Sequence, residues 1–400
     1  MSAPEKSGTT PTDVDAAWQS LRPTVRRALP WLVLLRLVNN TGIRMAYSFL
    51  PAFSRGAGVS ESTMGIVLGV RDLTALSAPA AGRAAGRVGT GRVMAFAGIG
   101  AAIGLALSAT GSIGLIIGFI LVGLFVVAYN VAISAWIGHE VAYERRARVT
   151  GIIELSWGGA ALLGVPLMGF LIDRFGWRAA PAFLAVLALP LSLFLAKQNA
   201  SLSVSGSVER AKPVMTRPAV GGLVVFTTLA VAAQFIFISH GLWLEDTYDL
   251  SASEIGGVVF AAAVMEVLAT LATARVTDVV GKRQSILAGS TLMTAGLLAL
   301  GVFPDASLLV AVLLLGAVFL GFEFAIVSAI PLIAELDPNA RAAMVGRATA
   351  LSTVFRAIVS LVAVALYERI GFGWLMVLAA GFGALSMALA AFVMEEPSAV

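Results

Sequence analysis

The chain has 400 residues, 58% of them hydrophobic and 12% charged, with a formal net charge of +4, a pI near 9.7, two histidines and no cysteine. Soluble domains carry about 25% charged residues, so most of this chain must be solvated by lipid. Disulfides and thiolate metal sites are excluded, and basic residues dispersed over loops at a lipid boundary suit anionic headgroups rather than nucleic acid.

Residues 1–28 read as a cytoplasmic tail whose first part, rich in Ser, Thr, Pro and Asp, is expected to be disordered. The first apolar stretch is too long for a cleaved signal peptide and is interrupted by Arg36 and Arg44. A membrane span needs about 20 apolar residues, and the charge clusters recur at that spacing. They predict spans at 29–50, 62–81, 93–110, 113–137, 149–172 and 179–196 within an N-terminal bundle, 29–196. A polar, Ser-rich cytoplasmic linker follows at 197–217. Spans at 220–244, 253–274, 285–302, 307–333, 345–366 and 374–394 make up a C-terminal bundle, 218–394, before a short cytoplasmic tail, 395–400. Every span reads as a helix, because an isolated strand would leave its backbone unpaired in hydrocarbon. The expected fold is an all-α membrane protein of twelve transmembrane helices in two pseudo-symmetric six-helix bundles.

Nineteen Lys and Arg residues fall on one side of these spans, four (Arg55, Arg174, Arg178, Arg369) on the other, and four inside. Cytoplasmic loops hold such an excess. Both termini are therefore expected in the cytoplasm, and the protein in the cell membrane as a multi-pass protein.

An internal repeat spans about half the chain. Asp173-Arg174-Phe175-Gly176 recurs as Glu368-Arg369-Ile370-Gly371 at an offset of 195, and Gly151 and Gly346 share it. Tyr129-Asn130-Val131-Ala132-Ile133 matches Phe322-Glu323-Phe324-Ala325-Ile326 at 193, and Ser60 and Gly65 match Ser251 and Gly256 at 191. An even number of helices per copy makes the repeats parallel, an arrangement that puts a substrate site between halves at mid-membrane.

The loop after the second span, which contains Gly82, Arg87, Gly89 and Arg92, resembles the signature loop of the major facilitator superfamily, with Gly86 where that loop carries an aspartate. Its counterpart in the second half keeps the carboxylate as Asp278, followed by Gly281, Lys282 and Arg283. The fifth span carries Gly164, Pro166 and Gly169, similar to the Gly-Pro motif of the superfamily's drug:proton antiporters, with Val165 interposed. The resemblance covers residues 29–394 and implies the superfamily fold, with the third helix of each triplet outside and the others lining or gating a cavity.

Eight ionised residues lie inside spans, away from the span ends: Arg36, Arg44, Arg71, Asp72, Glu154, Glu266, Glu323 and Arg356. Each costs about 2.5–3.5 kcal/mol near the bilayer centre unless it faces protein or water. Arg71, Asp72, Glu266, Glu323 and Arg356 fall near mid-span with Asn39 and Asn40, and Asn130 is the repeat mate of Glu323. Asn40, Arg71, Asp72, Asn130, Glu266, Glu323 and Arg356 are therefore the candidate substrate and proton cavity. Glu266 and Glu323 read either as titrating carboxylates partnered by Arg356 or as permanent ion pairs. Arg71 and Asp72 are neighbours that do not share a helix face, so one is expected toward the cavity and the other toward a neighbouring helix. Arg36 and Glu154 lie at similar depth near the cytoplasmic side and are expected to form a gating or structural pair. His240 reads as a proton relay or as a hydrogen-bonded structural group.

No phosphate-binding loop and no catalytic constellation is present in the sequence. No enzyme activity, cofactor or metal is expected. The function expected is alternating-access secondary transport, with proton-coupled export of a small organic compound as the leading reading. The alternatives are a proton symporter importing an anionic or polar nutrient bound by Arg71 or Arg356, and a non-transporting sensor with a transporter fold. The expected partners are a small-molecule substrate, protons and membrane lipids, with the protein a monomer that binds no nucleic acid.

Overall fold

The computed structural model describes residues 21–198, 214–337 and 339–392, and within them leaves out the side chains of Tyr143, Glu144, Ala147, Ala274, Asp278 and Ala342. The expected tails up to residue 20 and from 395, most of the linker 197–217, and the Asp278 carboxylate thus lie outside the described residues. The helices, in chain order, are α1 Pro23–Ser48, α2 Leu50–Ala57, α3 Glu61–Leu73, α4 Ala78–Val88, α5 Thr90–Ser108, α6 Ser112–Glu140 and α7 Tyr143–Gly159. They continue as α8 Val165–Phe175, α9 Ala179–Lys197, α10 Arg217–Tyr248, α11 Ala252–Val280, α12 Lys282–Val302, α13 Leu308–Glu335 and α14 Arg341–Phe392. No strand occurs among the described residues.

Nine helical runs among the described residues are long and apolar enough to cross a membrane. The difference from the twelve expected has local causes. The 29–50 segment is helical but polar, with Arg36, Asn39, Asn40 and Arg44. The 62–81 segment is split by the 3-10 turn Thr74–Ser77, and 345–366 and 374–394 lie in the single run α14, broken at Gly371 (φ 77°, ψ 165°).

Proline sets most interruptions, because its ring lacks an N–H and crowds the carbonyl four residues back. Pro51 follows the α1/α2 break at Phe49 (φ −113°, ψ 28°). Pro79 follows the 3-10 turn, and Pro166 follows a π-helical turn, Ala160–Gly164, that joins α7 to α8. At the first break Gly241 of α10 comes so close that a Cβ there would sit 2.2 Å from the Ser48 carbonyl oxygen. Only a glycine lets the two backbones approach this closely.

The sequence repeat recurs in the backbone. Ser60 caps α3 by accepting from the Thr63 N–H, and its repeat mate Ser251 caps α11 by accepting from the Glu254 N–H within a capping box. Just before these caps, Gly58 (φ 68°, ψ 35°) and Asp249 (φ 54°, ψ 36°) both turn left-handed. Gly89 (φ 95°, ψ 144°) and Gly281 (φ 97°, ψ 149°) start α5 and α12 with the same turn. Gly176 (φ 83°, ψ 165°) and Gly371 share a third.

The α4/α5, α6/α7 and α11/α12 connections, with the end of α13 and the start of α14, lie at one end, the basic end, and the α2/α3, α8/α9 and α10/α11 connections at the other, the far end. One buried apolar cluster runs through both halves, including Leu50 and Phe53 of the first and Trp243, Phe372 and Leu375 of the second. A second cluster, around Leu223, Phe226, Ile286, Leu332, Ile333 and Met344, stands apart inside the basic end of the second half. The halves meet where α3 packs on α14, α8 on α11, and α1 on α10. Large apolar side chains such as Phe96, Ile113, Val186, Leu309 and Trp374 are widely exposed on the outside, as lipid contact requires.

Candidate functional site

Two polar networks cross between the halves at mid-height. In the first, Arg44 of α1 donates from Nη2 to both carboxylate oxygens of Glu266 in α11, at 2.8 and 3.0 Å, and from Nη1 to the Trp157 carbonyl at 3.2 Å. Its guanidinium lies 4.5 Å from the Trp157 ring centre. Both charges are buried, so each depends on the other: removing one partner of such a pair costs about 3–5 kcal/mol.

The second network starts at Asp72. Its Oδ1 accepts from Arg71 Nε and Nη2 at 3.0 and 2.8 Å, and its Oδ2 from Tyr47 Oη at 2.7 Å and Ser360 Oγ at 3.0 Å. Gln234, fully buried in α10, donates to Ser360 Oγ at 2.8 Å and to Tyr47 Oη at 3.4 Å. Its Oε1 accepts from Arg356 Nε at 2.8 Å.

The neighbouring residues Arg71 and Asp72 bond each other, contrary to the expectation that they would separate. The cause is the reach of arginine: at the end of α3, where the 3-10 turn begins, the side chain folds back onto the next carboxylate and over the Tyr47 ring, 4.5 Å away. Arg71 is thereby 1% exposed, and its Nη1 is also taken by the Ile43 carbonyl at 3.2 Å. Arg356 partners neither Glu266 nor Glu323. Glu323 accepts from Thr270 Oγ1 at 3.2 Å, and the same hydroxyl donates to the Glu266 carbonyl at 3.1 Å. Neither Glu323 nor Arg356 has an opposite charge within 4 Å among the described residues.

Between the networks lies a narrow cavity lined by Arg44, Tyr47, Ser48, Trp157, Phe237, His240, Val259, Phe319 and Arg356. His240 is held at both nitrogens: Nδ1 faces the Ile236 and Phe237 carbonyls at 3.2 and 2.9 Å and must donate to them, and Nε2 meets Ser48 Oγ at 3.1 Å. With Ser48 Oγ donating to Nε2, a neutral ring has both nitrogens satisfied. Asn40 turns away, donating to Ser156 Oγ at 3.1 Å, and the buried Asn130 Oδ1 has no partner.

At the basic end, Arg36 Nη2 donates to both oxygens of Glu154 at 2.9 and 3.1 Å. Lys282 Nζ meets Glu335 at 2.6 and 2.8 Å, and Arg283 donates to the Ala390 carbonyl at 3.0 Å and to that of Ala391. Each of these contacts stays within one half. Arg87 and Arg92 are exposed, and a Cβ at Gly82 would meet only Val131, at 3.8 Å.

At the far end the contacts cross. Arg55 pairs with Glu245. Asp173 accepts from the Ala252 and Ser253 N–H groups at 3.1 and 2.8 Å, at the start of α11. Its repeat mate Glu368 accepts from Ser62 N–H and Oγ at 3.2 and 2.5 Å, at the start of α3. Each carboxylate thus sits at a helix N-terminus of the opposite half, where free N–H groups and the helix dipole favour an anion. The fifth-span motif packs at the same seam. A Cβ at Gly169 would be 2.4 Å from the Ala252 carbonyl oxygen and Pro166 abuts Gly256, while Gly164 abuts Thr41 within its own half.

In the sequence Arg44 stands out as an intramembrane charge but its partner does not, and Gln234 and Ser360 do not stand out at all. The available signal was a buried amide at the middle of a long apolar helix, a polar group that needs several partners.

The family model described as Major Facilitator Superfamily matches residues 32–244 and again 219–400. An uncharacterized MFS-type transporter of Bacillus subtilis (strain 168), YceJ, is 26% identical over 198 residues, 48% of this chain and 50% of the relative, so the match spans half of that protein's length. Among solved structures, a bacterial homolog of the human lysosomal transporter Spinster, in an inward-facing and unoccupied conformation, superposes with a TM-score of 0.76 at 12% identity, covering 92% of this chain and 96% of that one. A D-xylose-proton symporter superposes at 0.73 with 17% identity, covering 92% and 97%. At such identities the structures share the fold alone, but the family model covers nearly the whole chain: this all-helical, multi-pass membrane protein belongs to the Major Facilitator Superfamily of transporters.

Proposed function

We propose that this chain is a proton-coupled secondary transporter of twelve transmembrane helices in two six-helix bundles, working by alternating access and exporting a small organic compound. The observation that carries the reading is the unequal treatment of the two ends. Every polar contact between halves described above lies at mid-height or at the far end, whereas the basic end keeps its ion pairs inside each half. With the Lys- and Arg-rich loops in the cytoplasm, the end without bridges between the halves faces inward, as in a state that loads an exported substrate.

Glu323 is the proposed proton carrier. It is the mid-height carboxylate that can gain and lose a proton without breaking an ion pair, whereas Glu266 and Asp72 each hold an arginine. A proton moving through 100 mV supplies about 2.3 kcal/mol, enough for roughly a 50-fold gradient of a neutral solute. Import of an anion by proton symport is the second reading, favoured by the Arg356 guanidinium, which is held by the neutral Gln234 and has no carboxylate partner among the described residues. The test is flux into proteoliposomes under an imposed pH gradient: export requires countermovement of protons and import requires comovement. Glu323→Gln should abolish gradient-driven flux and leave substrate exchange. Gradient-driven flux unaffected by that substitution would refute the assignment.

A further inference from the structure

Building on that reading, we infer that the cavity takes a small organic anion with an aromatic or apolar body, its acid group held by the outer nitrogens of Arg356. Three arginines reach mid-height, and their partners differ. Arg44 is neutralised by Glu266 and Arg71 by Asp72. Arg356 is bonded only through Nε, to the neutral oxygen of Gln234, so Nη1 and Nη2 bond no protein group among the described residues. The cavity wall therefore carries one uncompensated positive charge.

That charge is also oriented. Gln234 is fixed by Ser360 and Tyr47, and both of these are fixed by Asp72. The guanidinium is thus gripped at its inner nitrogen, with its outer nitrogens left without a protein partner on a residue that lines the cavity. A planar fork of this kind matches a carboxylate or phosphonate with two parallel hydrogen bonds, and a pre-oriented donor loses less freedom on binding. Trp157, Phe237, Val259 and Phe319 give the same lining an apolar surface, beside the neutralised Arg44. An organic cation would be repelled by Arg356. A neutral polyol would meet walls whose polar side chains, His240, Ser48 and Tyr47, already bond one another or the protein. Gln234 is accordingly a positioning residue.

The test is equilibrium binding to the purified full chain without any gradient, followed by quenching of tryptophan fluorescence, since Trp157 lines the cavity. The probes are benzoate, indole-3-acetate and phenylphosphonate, with benzylammonium and benzyl alcohol as the cationic and neutral counterparts, up to about 10 mM, where even a site of Kd about 1 mM is nearly filled. At least one anion should bind saturably and more tightly than both counterparts. Arg356→Gln should weaken it at least about tenfold, the loss of a charged hydrogen bond, and Arg356→Lys by less. Gln234→Glu, which keeps the guanidinium but neutralises it, should also weaken anions and improve benzylammonium, so the inference stays testable where Arg356→Gln does not fold. Failure of all three anions to bind, or binding indifferent to both substitutions, would overturn it. Binding is read apart from flux: anion binding without proton-linked flux would sink the transport reading alone, and proton-linked flux of a neutral solute without anion binding would sink this inference alone.

Discussion

The two ends of the molecule are built from the same kinds of residue and behave differently. At the far end, Arg55, Asp173 and Glu368 each reach a residue of the opposite half, and glycines at 65, 69 and 169 let α3 and α8 press against α14 and α11. At the basic end, Arg36, Lys282 and Arg283 find partners in their own half, and the second half closes a separate apolar cluster around itself. Charge count does not decide closure, since the end with fewer basic residues is the bridged one. What decides it is whether a charge can be satisfied only across the seam.

The largest effect is expected at the hinge of this contrast. Glu266→Gln leaves Arg44 buried without a counter-charge and should cost about 3–5 kcal/mol, read as a fall in the melting temperature of the purified protein. The paired change Arg44→Met with Glu266→Met should restore most of the loss. If Glu266→Gln melts like the parent, the pair is not buried as described.

Gly169→Leu comes next. Its Cβ would meet the Ala252 carbonyl, a contact that backbone cannot yield to without moving α8 from α11, so the far end should spread. The chain has no cysteine, which allows spin labels at Val59→Cys and Asp249→Cys. The distance between them should lengthen with Gly169→Leu, and an unchanged distance would show that the seam does not depend on this approach.

Removing the symmetric carboxylates should act in the same direction but less strongly. Asp173→Asn and Glu368→Gln weaken charge-assisted bonds that are partly exposed, each worth about 1 kcal/mol or less. They lie on separate helix pairs, so their effects on the same label distance should add. An effect of one and none of the other would break the symmetry inferred from the repeat.

The smallest effect has the opposite sign. Burial, together with Asp246, Glu368 and Glu245 of the opposite half, holds the Glu61 carboxyl above its usual range, with Arg55 opposing. Closure therefore binds a proton more tightly than opening does. Acid on that side should favour the closed far end, the bias growing as pH falls through the raised value and levelling off once the open form is protonated too. Glu61→Gln should shorten the label distance slightly at neutral pH and remove part of its pH dependence.

The sequence made the helices legible because lipid leaves no other way to satisfy a backbone, and it made the repeat legible through Gly176 and Gly371, or Gly89 and Gly281, whose turns recur in the backbone. The polar layer was legible as depth alone. Depth did not reveal partners, because pairing depends on which face each helix turns to helices hundreds of residues away: Arg44 finds Glu266 at a separation of 222 residues and Arg356 finds Gln234 at 122. The bond between Arg71 and Asp72 was hidden for another reason, since face geometry constrains short side chains far more than a folded-back arginine. Gln234 carried no charge to draw attention, yet it ties both halves together.

The most direct measurement is a pair of label distances in the same cysteine-free background, Val59→Cys with Asp249→Cys at the far end and Gly82→Cys with Arg347→Cys at the basic end, followed with and without a pH gradient and a bound anion. Alternating access predicts anticorrelation: conditions that lengthen the far-end distance shorten the basic-end one. Two distances that stay fixed, or that lengthen together, would contradict it.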